Sequence, residues 1–97
     1  MSALVYRKLD ESEITDHLGR LTEWVREGEE LVRTIEFKTY KDGAVFASAV
    51  AFLADALDHH PDLSIGYKKV TIRMSTHSVS GLSPYDFELA RRIDHLF

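Results

Sequence analysis

The sequence predicts an α+β fold, a two-layer arrangement in which an antiparallel sheet carries helices on one face. Three observations lead there. Capped segments with helical spacing stand near both ends and in the middle, short runs with strand patterning lie between them, and 97 residues, 44% of them hydrophobic, suffice for one small core. The expected order is α-β-β-α-β(β)-α, read as a single domain over residues 1–97.

The first helix opens on Asp10-Glu11-Ser12-Glu13, which has capping-box spacing with Asp10 as N-cap and Glu13 at N3. Ile14, Leu18 and Leu21 follow at i, i+4 and i+7, so an amphipathic helix is expected over about 11–20. Trp24-Val25 and residues 31–37 flank a polar stretch that contains Gly28, a hairpin signal. Alternation there turns Ile35 and Phe37 inward and Thr34, Glu36 and Lys38 outward.

The clearest helix covers about 42–58, with six Ala plus Val45, Phe46, Val50, Phe52, Leu53 and Leu57, and Pro61 just beyond it. Its apolar residues exceed the stripe needed to sit on one sheet. A helix apolar nearly all round must be covered on both sides, so a partner subunit is expected to cover the second. From Ile65 to Ser75 the pattern is strand-like but changes phase. Val70, Ile72 and Met74 share one parity and Ile65 and Tyr67 the other, which a bulge or a break near Lys68-Lys69 reconciles. Ser83-Pro84-Tyr85-Asp86 then opens the last helix with an N-cap, Pro at N1 and an acid at N3. Phe87, Ala90, Ile93 and Phe97 continue it.

Composition narrows the function. Twelve Lys+Arg against sixteen Asp+Glu, a net charge of −4, leaves no electrostatic footprint for direct nucleic-acid binding. The absence of Cys removes thiolate chemistry and cysteine-ligated metals. The richest apolar run, 44–57, is too short to span a bilayer, and the N-terminus has no apolar core of signal-peptide length, so a soluble cytoplasmic protein is expected.

Five His remain as candidates for chemistry. His59 and His60 follow the long helix just ahead of Pro61, and His77 lies where the last strand runs into a loop. A helix C-terminus favours imidazolium, and Asp55, four residues before His59, is expected on the same helical face. On that reading His59 is the charged acid and His77 the neutral base. Each residue also has a structural reading: His59 and Asp86 as helix caps, Trp24 and Tyr67 as packing residues, His17 and His95 as surface residues. Adjacent His at a helix end diverge, and no HxxxH, ExxH or HExxH spacing is present, so no metal site is expected.

The run Asp55-Ala56-Leu57-Asp58-His59-His60-Pro61, followed by Tyr67, by Ser75-Thr76-His77 with Gly81-Leu82-Ser83 shortly after, and by Asp86, resembles the signature of the pterin-4a-carbinolamine dehydratases. Trp24, Glu36-Phe37-Lys38 and the central helix agree with the family pattern, and the resemblance covers about residues 10–97. Leu63 departs from it, where many members carry an aromatic residue two places after the Pro.

The resemblance implies a sheet backed by helices, assembly as a homodimer or homotetramer, and removal of water from 4a-hydroxytetrahydropterin without metal or organic cofactor. It implies His59 and His77 as acid–base groups, with His60 positioning the pterin and Asp55 and Asp86 orienting the imidazoles. Pro61, Ser75, Thr76 and Ser78 are implied at the edge of the pterin ring. The alternative it carries is a protein-interaction module, since some animal members also stabilise a dimeric transcription factor.

Overall fold

A computed structural model describes residues 4–97. The chain runs α1 (Glu11–Arg20), β1 (Val25–Glu27), β2 (Glu30–Glu36), α2 (Tyr40–Leu57), β3 (Asp62–Gly66), β4 (Lys69–Met74), a 3₁₀ turn (His77–Val79) and α3 (Pro84–Asp94). All pairings are antiparallel, in the order β1-β2-β4-β3. This is the expected α+β order, with the two short strands resolved as β3 and β4.

The phase change in the sequence is a hairpin. Gly66 pairs with Lys69 across Tyr67 and Lys68, and Lys68 takes φ 61°. Ile65 then lies directly opposite Val70, so residues of opposite sequence parity share one face.

That face is the core face. Leu31, Arg33 and Ile35 of β2 lie opposite Met74, Ile72 and Val70 of β4. The apolar ones join Ile14, Phe46, Val50, Ala54, Phe87 and Ile93 of the helices in one buried cluster. On the reverse face Thr34 and Thr71 hydrogen-bond to each other across the strands. The expected alternation over 34–38 holds except that Phe37 is only half-buried. Gly43 lets α2 approach the sheet, because a Cβ there would stand 3.3 Å from Val70 Cγ2.

Helix α2 starts earlier than expected because Thr39, not a residue nearer Asp42, is the N-cap and accepts from the Asp42 N–H. It buries Phe46, Ala47, Val50 and Ala54 and leaves Tyr40, Val45 and Phe52 exposed, Phe52 at 78%. Its own chain therefore covers one side only. No helix among the described residues is long and apolar enough to cross a membrane.

The C-terminus of α2 decides where the paired histidines go. Asp58 adopts the left-handed conformation (φ 53°, ψ 44°), its N–H donates to Asp55, and the His59 N–H donates to Ala54. These are the two bonds of a Schellman motif with Asp58 at C′. The left-handed step turns the chain back on itself, so His59 is buried while His60 faces outward.

A branched residue at position 58 would meet the Cβ–carbonyl clash that makes this conformation costly, about 1–2 kcal/mol. Asp58→Val is therefore expected to lower stability by about that amount in urea titration, and Asp58→Gly to leave it level or raise it. Equal midpoints for the two variants would contradict the capping account.

Candidate active site

Asp86 is fully buried at the N-terminus of α3, and both of its carboxylate oxygens are hydrogen-bonded to the protein. Its Oδ2 accepts from the Ser83 N–H at 2.9 Å, closing the capping box, and from the Thr76 hydroxyl at 2.7 Å. Oδ1 meets His59 Nε2 at 2.7 Å. With Thr76 donating to Asp86, the Ser83 hydroxyl donates to Thr76 (2.7 Å) and accepts from the Tyr85 N–H. An ionised carboxylate satisfies the whole set, since it accepts each of these bonds, and His59 then carries its proton on Nε2. The assignment follows from the network.

The other ring nitrogen has a different fate. His59 Nδ1 has no hydrogen-bond partner among the described residues, yet no buried side-chain nitrogen or oxygen is left unpaired, so Nδ1 reaches solvent. His59 lines a cleft of about 500 Å³, within the roughly 300–1,000 Å³ usual for small-molecule sites. His60, His77, Ser75, Thr76, Ser78, Asp58 and Tyr6 complete the lining. The elements brought together are the end of α2, the end of β4 with its 3₁₀ turn, and the N-terminal segment. A bridge between Thr76 and Gly81 closes the loop that presents His77.

The structure corrects one expected pairing. Asp55 does not support His59. Because Asp58 leaves the helical conformation, His59 is no longer one turn above Asp55. Asp55 Oδ1 instead meets His60 Nε2 at 2.8 Å, with the His60 side chain 57% exposed. The carboxylate on His59 is Asp86, 27 residues away in sequence. Asp86 thus combines the capping and histidine-facing readings.

Of the other expected site residues, His59, His60, His77, Ser75, Thr76 and Ser78 meet at the cleft. Asp55 lies outside it behind His60, and Pro61, half-buried, is not among the lining residues. The Thr76 hydroxyl is committed to Asp86 and Ser83. Leu63 packs against the core and does not line the cleft. Tyr67 is exposed on the β3–β4 turn. Trp24 is buried with its indole N–H donating to Asp94, and His17, expected at the surface, lies on Phe87.

Sequence reasoning missed Tyr6 and Tyr85. Their rings stack with centroids 4.1 Å apart and planes 10° apart, and Tyr85 stands 5.8 Å from the His59 ring. The Tyr6 hydroxyl donates to the Asp58 carbonyl at 3.3 Å. Desolvation pushes the Tyr6 phenol above its ordinary value, helped by Tyr85 and by the Asp58 carboxylate, so it stays a neutral donor. The only signal in sequence was an aromatic residue in a tail without periodicity.

A larger depression of about 630 Å³ lies between α1 and α3. Its arginines, Arg7, Arg20 and Arg91, are paired with Glu13, Asp16 and Glu88. Its arginines are therefore already committed to the protein. Among the described residues no group of three or more His, Asp or Glu could hold a metal ion.

A solved structure described as a transcriptional coactivator/pterin dehydratase from Brucella melitensis matches with a TM-score of 0.88 at 30% identity, over 93% of this chain and 98% of that one. A pterin dehydratase-like protein identified as a RuBisCO assembly factor in the alpha-carboxysome matches with a TM-score of 0.65 at 25% identity, over 76% and 88%. The family model "Pterin 4 alpha carbinolamine dehydratase" matches residues 7–96, and the chain belongs to that family. A Roseiflexus castenholzii relative named "Putative pterin-4-alpha-carbinolamine dehydratase" is 43% identical, covering 91% of this chain and 95% of its own length. One of the same name from Sulfolobus acidocaldarius is 40% identical over 92% and 98%.

Removing the Asp86 carboxylate would leave His59, Thr76 and the Ser83 N–H without their acceptor in a buried place. Breaking such a set costs about 3–5 kcal/mol. Asp86→Ala is expected to lose that much in urea denaturation. A loss below about 1 kcal/mol, the size of an ordinary cap, would show that the network is not tightly held.

Proposed function

We propose that the chain is a hydro-lyase: it removes water from 4a-hydroxytetrahydropterin to give a quinonoid dihydropterin, in tetrahydrobiopterin recycling. The observation that carries this reading is the convergence of His59, His60 and His77 on one cleft, with His59 held by the buried Asp86. Membership of the family supplies the substrate class. We further assign the activity to the cytoplasm and to the whole chain acting as one domain.

The reaction breaks the C4a–O bond and forms a C4a=N5 double bond as N5 loses its proton. The hydroxyl must be protonated to leave as water, and a base must take the N5 proton. With Nε2–H donated to Asp86, His59 Nδ1 holds a free lone pair at the cleft. As Nδ1 gains a proton, the Asp86 carboxylate offsets the charge. His59 is thus the base. His77, exposed on its 3₁₀ turn, exchanges protons with water and is the donor to the departing oxygen. These roles are proposed in the reverse order to those expected from sequence, because His59 turns its Nε2–H to Asp86 and keeps the Nδ1 lone pair for the substrate. His60, held on its outer side by Asp55, positions the pterin, and Ser75, Ser78 and the peptide groups near Pro61 are proposed at the ring edge. The step as written balances with one proton donor and one proton acceptor, and uses no metal or organic cofactor.

Losing a general acid or base typically costs about 10²–10⁴-fold in rate. His59→Ala and His77→Ala are each expected to fall in that range in a 4a-carbinolamine dehydration assay, while His60→Ala raises KM more than it lowers kcat. The double variant should lose less than the product of the single losses, since both act in one proton-transfer sequence. Wild-type rates in both single variants would overturn the assignment. An interaction module is the alternative, and the name of the RuBisCO assembly factor favours weighing it. A wild-type protein that leaves the uncatalysed rate unchanged would put that reading first.

We also propose a homodimer or homotetramer built on the uncovered side of α2. Burying a side chain the size of Phe52 contributes about 1.5–3 kcal/mol, so its exposure favours a second copy. Sedimentation should give a mass well above 11.1 kDa, and Phe52→Glu should lower it towards that value. A monomeric wild type would contradict the assembly.

A further inference from the structure

We propose that Tyr6 is a substrate-stacking residue, its open ring face forming the aromatic wall against which a planar pterin lies in the histidine cleft. The inference rests on the proposed pterin activity and names a contact that neither the sequence motif nor the family signature includes. Tyr6 lies outside the stretch that carries the resemblance.

Three observations carry it. First, Tyr6 lines the cleft, and the remaining lining residues are Asp58, three His and hydroxyl side chains, so it is the one phenyl-type ring there among the described residues. Second, the Tyr6–Tyr85 stack covers one face of the ring, while the residue as a whole stays 50% exposed. The face away from Tyr85 is the one left for a ligand.

Third, the ring is fixed before any ligand arrives. Tyr85 backs it, the hydroxyl is tied to the Asp58 carbonyl, and the segment behind it is anchored twice. Arg7 makes a two-bond contact with Glu13, and the Leu9 N–H donates to Leu82. A flat ring fixed in advance costs little conformational entropy on binding. It also suits a heteroaromatic ligand whose polar edge meets the hydroxyls and imidazoles of the same cleft. The tie to Asp58 matters too, since Asp58 is the turn that aims His59 and His60. Tyr6 therefore sets the plane of the ligand relative to the residues proposed to move its protons.

The test uses the full chain and unsubstituted pterin, which has no 4a-hydroxyl to lose and so cannot react. Tyr6→Leu, which keeps an apolar contact with Tyr85 but has no π face, is expected to bind pterin about threefold to tenfold more weakly and to raise KM more than it lowers kcat. Tyr6→Phe, which keeps the ring, should restore binding. In the wild type, the ring protons of Tyr6 should shift upfield in the NMR spectrum when pterin is added. That readout stands even if the leucine variant folds poorly.

Pterin bound by the wild type with no shift at Tyr6, or with equal affinity in Tyr6→Leu, would overturn the stacking role and leave the dehydratase reading in place. Failure of the wild type both to bind pterin and to accelerate dehydration would remove both.

Discussion

A carboxylate withdrawn from water must have its charge and lone pairs matched by protein donors, and that constraint at Asp86 organises this molecule. Its acceptors serve three separate elements: the first turn of α3 through Ser83, the end of β4 through Thr76, and the turn after α2 through His59. The helix cap and the candidate catalytic imidazole are therefore fastened by one side chain. The stability of the fold and the orientation of the site are coupled through it.

The coupling explains why two adjacent histidines behave so differently. His59 and His60 share a sequence neighbourhood, but the left-handed turn at Asp58 sends one inward and the other outward. The inward ring meets a fully buried carboxylate, and the outward one meets Asp55 at an exposed edge. Coulomb attraction at equal distance is far weaker in water than in the interior, and an exposed pair typically contributes only about 0.2–1 kcal/mol. The His60–Asp55 pair sets an orientation, whereas the His59–Asp86 pair also fixes a tautomer.

What could be read from the sequence follows from how local each signal is. The capping box at Asp10, the N-cap at Ser83, the helical stripes and the parity of Val70, Ile72 and Met74 act within a few residues, and the structure contains them, except that α3 ends at Asp94 and leaves Phe97, expected to continue it, outside the helix. The histidines and the loop residues Ser75 to Ser78 were legible because their spacing carries the family signature. The pairing of His59 was not. It depends on one backbone conformation at Asp58 that turns a helical i, i+4 relation into a reversal, and on a partner brought in by tertiary packing. Tyr6 was illegible for a similar reason: its place is set by a stack on Tyr85, 79 residues later by their positions in the chain.

The central claim is that Asp86 holds His59 with Nε2–H directed into the protein and Nδ1 free at the cleft. Long-range nitrogen–proton correlation NMR of the histidine rings reads the tautomer directly. The account predicts that neutral His59 carries its proton on Nε2, in slow exchange with water, and that Asp86→Ala releases it to an averaged tautomer. A His59 ring protonated on Nδ1 in the wild type, or averaged like a surface histidine, would contradict it.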